Sequence, residues 1–174
     1  TSIAIDITSF IKLDQKINDE EYLPNGRKQW TNEVYQEKLI HMSDVVSQLG
    51  DQENGPKWNG PTFLGVCEIE NKRVLEDLIN TPKLKDKNYG IVHYDSPDKR
   101  GIDVGFLYKK DYFKVLSSSK HKLTDLKDPD RRTRDQLLIT GIYDEDTLNF
   151  IVNHWPSRGA PSPARVNAAN LCRG

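Results

Sequence analysis

The sequence predicts a mixed α/β fold in which helices and strands alternate at first and a run of short strands follows. Three features predict it. An amphipathic stripe runs from Thr31 to Leu49, a second apolar helical face follows Asn71, and short apolar segments between Tyr89 and Trp155 are separated by turn residues.

Each element has its own signal. Val34, Tyr35, Leu39, Met42, Val45, Val46 and Leu49 fall on one side of a helix, with Thr31 as cap and Gly50 as stop. Such a helix packs on a sheet. A loop rich in Gly, Pro and Asn, residues 51–61, leads into TFLGVCE, too short for a helix and apolar through its middle, as in a strand covered on both faces. Asn71 caps a second helix, whose Val74, Leu75, Leu78 and Ile79 share a face. The segments YGIVHY, GIDVGFLY, FKVLS, DQLLITGIY and TLNFIVNHW then read as strands of an antiparallel or mixed sheet. DSPDKRG and YDEDT punctuate them, and the turn at residues 144–147 makes a hairpin of the last two. In GIDVGFLY, Ile102, Val104, Phe106 and Tyr108 alternate with Asp103, Gly105 and Leu107. A final helix covers Ala164 to Leu171. The charged segment from Lys120 to Arg134 reads as a solvated loop.

A chain of 174 residues is the size of one domain, residues 1–174, with enough apolar material for a core. Its 25 basic and 26 acidic side chains nearly cancel, which excludes the global basic excess of a nucleic-acid coat and leaves any phosphate-binding patch local. Two cysteines make neither a disulfide framework nor a metal cluster, and Cys67, inside FLGVC, reads as a buried, inert thiol. No apolar stretch reaches membrane-spanning length and no signal peptide is present, so the compartment stays open.

Polar residues at strand ends carry the functional reading. Glu68 follows an apolar strand directly, where a carboxylate can hold a hard divalent cation through oxygen. His154 ends FIVNH in the same way and can bond a phosphate oxygen or handle a proton. Each has an ordinary alternative, a solvated acid and a structural histidine. Asn153 precedes His154, so the strand period of two turns it to the other face. Asp103, two residues from a glycine on either side, either orients Arg100 or a catalytic group or faces water. Trp155 and Tyr94 either stack on a substrate or pack against the sheet.

The blocks FLGVCEIENKRVLEDLI, YGIVHYDSPDKRGIDVGFLYKKDYFKV and LNFIVNHWPSR resemble, in order and spacing, the endonuclease/exonuclease/phosphatase superfamily. NDEEYLPNGRKQW is similar to a bacterial branch of uncharacterised hydrolases, and the likeness spans roughly residues 18 to 174. It implies the deoxyribonuclease-I-like fold, a two-layer β-sandwich flanked by helices in α-β-β-α order. It also implies a divalent-metal-dependent phosphoester hydrolase, of nuclease, phosphodiesterase or phosphatase type, that uses water activated at a Mg²⁺ or Mn²⁺ site. On that resemblance Glu68 is the catalytic, metal-binding glutamate and His154 the catalytic histidine at the scissile phosphate. Arg100 and Arg158 are either substrate-binding clamps, since guanidinium matches phosphate bidentately, or surface arginines, and Asn153 ranks below His154 as a substrate-binding candidate. The implied substrate is a nucleic acid, a nucleotide or a phospholipid headgroup. The implied source is bacterial, with a secreted or periplasmic location if a signal has been removed.

The departures are as specific. The first strand of relatives ends in asparagine, and here IAIDIT places Ala4 and Asp6 in that corner, so Asp6 is either a second acidic metal ligand or an exposed strand residue. The family's Asp-Phe-Asn and Ser-Asp-His segments belong after the helix near Ala164 and are not in this sequence. The expectation is therefore one half of the sandwich with the opening of the second. Three readings follow: a portion of a longer hydrolase, a non-catalytic phosphate- or protein-binding module, or an enzyme completed by another chain. Arg134 and Asp135 fall within the resemblance without a role that chemistry assigns.

Overall fold

A computed structural model describes residues 20–50, 59–123 and 133–173. Asp6, and with it the IAIDIT run, lies outside the described residues.

Helix α1 spans Asn32–Gln48, and the Thr31 hydroxyl accepts from the Val34 N–H at 3.4 Å. It ends one residue short of Leu49, and Gly50 takes a positive φ of 88° that turns the chain away. Its buried side is Leu39, Met42, Ser43 and Val46, a narrower stripe than the periodicity suggests, with Val34 and Val45 exposed. Helix α2, Lys72–Ile79, is capped by Asn71, whose Oδ1 accepts from Val74 N at 3.2 Å, and it buries Val74, Leu75 and Leu78. Helix α3 covers Ser162–Arg173, starting two residues before Ala164.

The strands form two sheets, both antiparallel. The first comprises β1 (Phe63–Ile69), β2 (Tyr89–His93) and β3 (Asp103–Lys109) in the order β1-β3-β2. The second is the meander β4 (Phe113–His121), β5 (Gln136–Tyr143) and β6 (Asp146–Val152). Strand β3 is the hub. Its Leu107 joins the layer made by Leu39, Met42 and Val46 of α1 and Val74, Leu75 and Leu78 of α2, whereas Val104 and Phe106 face the second sheet. Strand β1, predicted to be covered on both faces, lies at the sheet edge. It still sends Val66 to the helices and packs Phe63 and Cys67 against the sandwich core.

Between the sheets Val92, Val104, Phe106, Phe113, Leu137, Ile139 and Val152 are buried together. Phe63 meets Phe113 edge-on at 5.1 Å between ring centroids and Phe150 at 4.6 Å. Each such buried side chain contributes roughly 1.5–3 kcal/mol of transfer free energy, so this aromatic layer fixes how the sheets stack. On the far side of the second sheet α3 is held where Gln136 Nε2 donates to the Ala168 carbonyl at 2.8 Å, while Ile142 and Ile151 stay exposed. The architecture is the helix–sheet–sheet sandwich of the sequence reading, with α3 beginning the outer layer. No described helix is long and apolar enough to cross a membrane.

Candidate active site

The two sheets end together at one rim, which gathers the ends of β1 and β2, the start of β3, residues 133–135 before β5, and the chain leaving β6. Glu68 reaches it through a break in the pleat. In the β1–β3 ladder Cys67 pairs with Val104 and Ile69 with Asp103, so Glu68 bulges between them with φ of +59°. The period explains why. A regular strand would place residue 68 on the helix-facing side with Leu64 and Val66 and turn Ile69 to the sandwich. The extra residue keeps Ile69 in the helix-facing core and swings the carboxylate out. A non-glycine residue in the left-handed region costs of the order of 1–3 kcal/mol and is concentrated at functional sites.

His154 stands two residues beyond β6, with Nε2 3.7 Å from Glu68 Oε1. The two side chains retain 24% and 31% exposure, enough for a ligand to reach them. Burial holds the imidazole below its ordinary pKa, the positive charge of Arg134 adds to the effect, and Glu68 opposes it. The ring is therefore neutral at neutral pH. Its Nδ1 is buried without a hydrogen-bond partner among the described residues, and Nε2 is the ring nitrogen that faces the Glu68 carboxylate.

Arg100 and Arg134 share one carboxylate. Asp98, 5% exposed, accepts from the Arg100 main-chain N–H at 2.9 Å, has Arg100 Nε at 3.6 Å, and accepts from Arg134 Nη1 at 3.0 Å. The Asp98 side chain thus closes a turn on the residue two ahead, with Gly101 at a positive φ of 69° completing it. The D-x-R-G spacing of the 95–101 loop carries the signal of this turn; Asp98 is the residue that sequence reasoning missed, and Arg134 is one to which it gave no role.

The remaining expected residues divide. Asp103 opens β3 and is 2% exposed, so it does not face water. It pairs with His93 Nε2 at 3.0 Å and accepts from Ser96 N at 2.7 Å, which ties the base of the 94–102 loop. Its contacts thus run to His93 and Ser96 and not to Arg100. Asn153 turns away, with Nδ2 donating to the Ile151 carbonyl and lying 3.8 Å from Cys172 of α3. Arg158 is exposed and has no hydrogen bond or ion pair with the site among the described residues. Tyr94 bonds to Ser118, and Trp155 is exposed beside the rim. Cys67 is half-buried, and its thiol is held above the ordinary pKa by burial, as an inert thiol requires.

The donor set suits a hard cation at one point. Glu68 offers an anionic oxygen at a partly open rim, directed there by its bulge, and oxygen donors are what Mg²⁺ and Mn²⁺ take. Ligand atoms of His93, Asp95 and Asp103 also lie within 4.8 Å of one another, a spacing a metal ion can share. There, however, His93 Nε2 and both Asp103 oxygens are already hydrogen-bonded.

A helix layer on a two-sheet sandwich, with an acid and a histidine converging at the rim, defines a deoxyribonuclease-I-like domain. The profile of the Endonuclease/Exonuclease/phosphatase family matches residues 10–174, and the chain belongs to that family. Among solved structures, an endonuclease/exonuclease/phosphatase from Bacteroides vulgatus matches with a TM-score of 0.54 and 16% identity over 75% of this chain and 49% of its own. ANGEL2, a 2',3'-cyclic phosphatase, matches with a TM-score of 0.54 and 12% identity over 79% of this chain and 35% of its own. A mannosyl-6-phosphatase from Bacteroides thetaiotaomicron VPI-5482 gives 0.53 and 14% identity over 91% and 55%. At these identities the likeness is one of fold, and the chain spans about a third to a half of the length of the three structures. No curated protein matches it.

Proposed function

We propose that the protein hydrolyses phosphoesters with water, using a divalent cation, Mg²⁺ or Mn²⁺, held by Glu68. One observation carries the reading: a strained bulge places the Glu68 carboxylate 3.7 Å from a neutral His154 at an accessible rim. When bound, the cation neutralises phosphate charge and stabilises the charge that develops in the transition state. The rest falls to the chain itself. His154 donates its Nε2–H to a non-bridging phosphate oxygen, adding a second point of charge stabilisation. Arg100, half exposed on its pinned turn, supplies the mobile positive charge that draws in an anionic substrate.

The balanced charge of the chain disfavours a long duplex footprint, which needs cations in line, and favours a compact phosphoester such as a nucleotide, a headgroup or a nucleic-acid end. A panel of phosphodiesters and phosphomonoesters assayed with Mg²⁺, Mn²⁺ and EDTA tests the reading. Turnover that EDTA abolishes and that Glu68→Gln loses while the circular dichroism is unchanged supports it. Turnover that survives Glu68→Gln refutes the role given to Glu68. Phosphate binding without turnover favours a binding module instead.

A further inference from the structure

Arg134 is the least exposed guanidinium at the rim, 11% by side chain, and its fork is engaged by Asp98 and by two main-chain carbonyls. Nη1 donates to Asp98 Oδ2 at 3.0 Å, and Nη2 donates to the His154 carbonyl at 3.0 Å and the Trp155 carbonyl at 3.3 Å. Those carbonyls lie past the last rung of the β5–β6 ladder, Leu137 with Val152, where no strand among the described residues continues the hydrogen bonds. A planar donor fork replaces the missing rungs. Its other end is fixed by a buried carboxylate whose second oxygen holds the Arg100 turn. One guanidinium thus joins the second sheet, the segment carrying His154 and the loop carrying Arg100. Asp98 is shared by both guanidiniums, and Arg100, half exposed where Arg134 is nearly covered, is the more open cation for an anion to meet.

We propose that Arg134, anchored by Asp98, is a positioning residue that sets the main chain of His154 and the turn of Arg100, and that it is not a substrate-binding arginine. The assignment rests on the hydrolase reading for its kinetic consequence and on the hydrogen bonds alone for its structural one.

Four single variants and one double test it: Arg134→Lys, Arg134→Gln, Asp98→Asn, Arg100→Gln and Asp98→Asn combined with Arg134→Gln, with inorganic phosphate as the competing ligand. A positioning role predicts that Arg134→Gln lowers kcat about 100-fold, the scale of a displaced catalytic group, while the inhibition constant of phosphate stays within about twofold. The double variant Asp98→Asn with Arg134→Gln falls no further than the worse single one, because the two act as a unit. Arg100→Gln instead weakens phosphate inhibition by about tenfold, as loss of a charged hydrogen bond does. Arg134→Gln weakening phosphate as much as Arg100→Gln would overturn the proposal.

A second readout needs no turnover. Arg134→Lys keeps the charge and the stem but loses the fork, so the His154 Cε1–H resonance of the metal-free protein should broaden or split as the ring samples several positions. A single sharp resonance, as in the unsubstituted protein, overturns the clamp. If Arg134→Gln does not fold, Arg134→Lys carries both measurements. If the unsubstituted protein hydrolyses nothing, the hydrolase reading falls, and the resonance still decides the clamp.

Discussion

Ile69 pairs with Asp103 across the first sheet while Cys67 pairs with Val104, and the residue between, Glu68, has no rung of its own. That one-residue break lets a strand serve the helix-facing core through Ile69 and the rim through Glu68. Local strain is the consequence, since Glu68 holds φ at +59°.

The strain gives the first prediction. Glycine occupies the left-handed region without steric cost, so Glu68→Gly should raise stability by about 1 kcal/mol while abolishing cation-dependent turnover. Glu68→Ala should lose turnover without that gain, because its Cβ keeps the steric cost. Urea titration of both variants checks this. Equal midpoints for the two would show that the bulge carries no strain.

Much of this arrangement was legible in the sequence, and the rest was not for identifiable reasons. The caps at Thr31 and Asn71 and the strands of the second sheet follow from residue type and period, which act locally. His154 stands past a strand end because the apolar run before it stops there, whereas Glu68 lies within β1, at a bulge that residue type does not announce. Asp103 was misplaced because alternation reveals which residues share a face and not which faces are covered, and a central strand between helices and a second sheet is covered on both. Arg134 was opaque for a different reason. Its partners, Asp98 and the carbonyls of residues 154 and 155, are distant in sequence, and main-chain acceptors leave no trace in residue type.

Titration of His154 supplies the second prediction. Its folded-state pKa lies below the unfolded value, so the unfolded chain binds the proton more readily. The neutral ring therefore costs nothing above about pH 6.5, and stability falls as the pH drops from there towards the folded pKa. His154→Gln should flatten the slope of stability against pH in that interval and lower kcat by about 100-fold to 1000-fold. Chemical denaturation at several pH values from neutral to acid measures the slope. An identical slope in the variant would place the ring in water.

Asp135 has the opposite sign. It is 6% exposed, its Oδ1 is buried without a partner among the described residues, and Lys120 Nζ stands 3.8 Å from Oδ2. Burial raises its pKa above the usual carboxylate range; Lys120 opposes this, and the charge of Asp103 adds to it. Stability from this group is complete below the unfolded pKa and is lost as pH rises through the folded one. Asp135→Asn should therefore gain stability relative to the unsubstituted protein as pH rises from acid to neutral. A difference that shrinks over that range would mean that Lys120 compensates the charge in full.

Packing between the sheets gives the last prediction. A Cβ added at Gly141, in the middle strand of the second sheet, would stand 2.3 Å from Phe113 Cζ and 2.6 Å from the Lys114 carbonyl oxygen. The ring cannot rotate away, because Phe113 is 2% exposed and already meets Phe63, Phe106, Tyr108 and Phe150, so it has no vacant position to enter. The carbonyl belongs to the neighbouring strand, where Lys114 pairs with Ile142, and moving it opens the β4–β5 ladder. Gly141→Ala should cost about 1–3 kcal/mol, the range for an overfilled core, and lower the urea midpoint without changing the slope. A comparable substitution at Gly159, where the nearest atom is the Ser157 hydroxyl at 3.5 Å, should change little. If the two variants melt alike, the aromatic layer is looser than its ring contacts imply, and the sheets do not hold the rim in the register on which Glu68 and His154 depend.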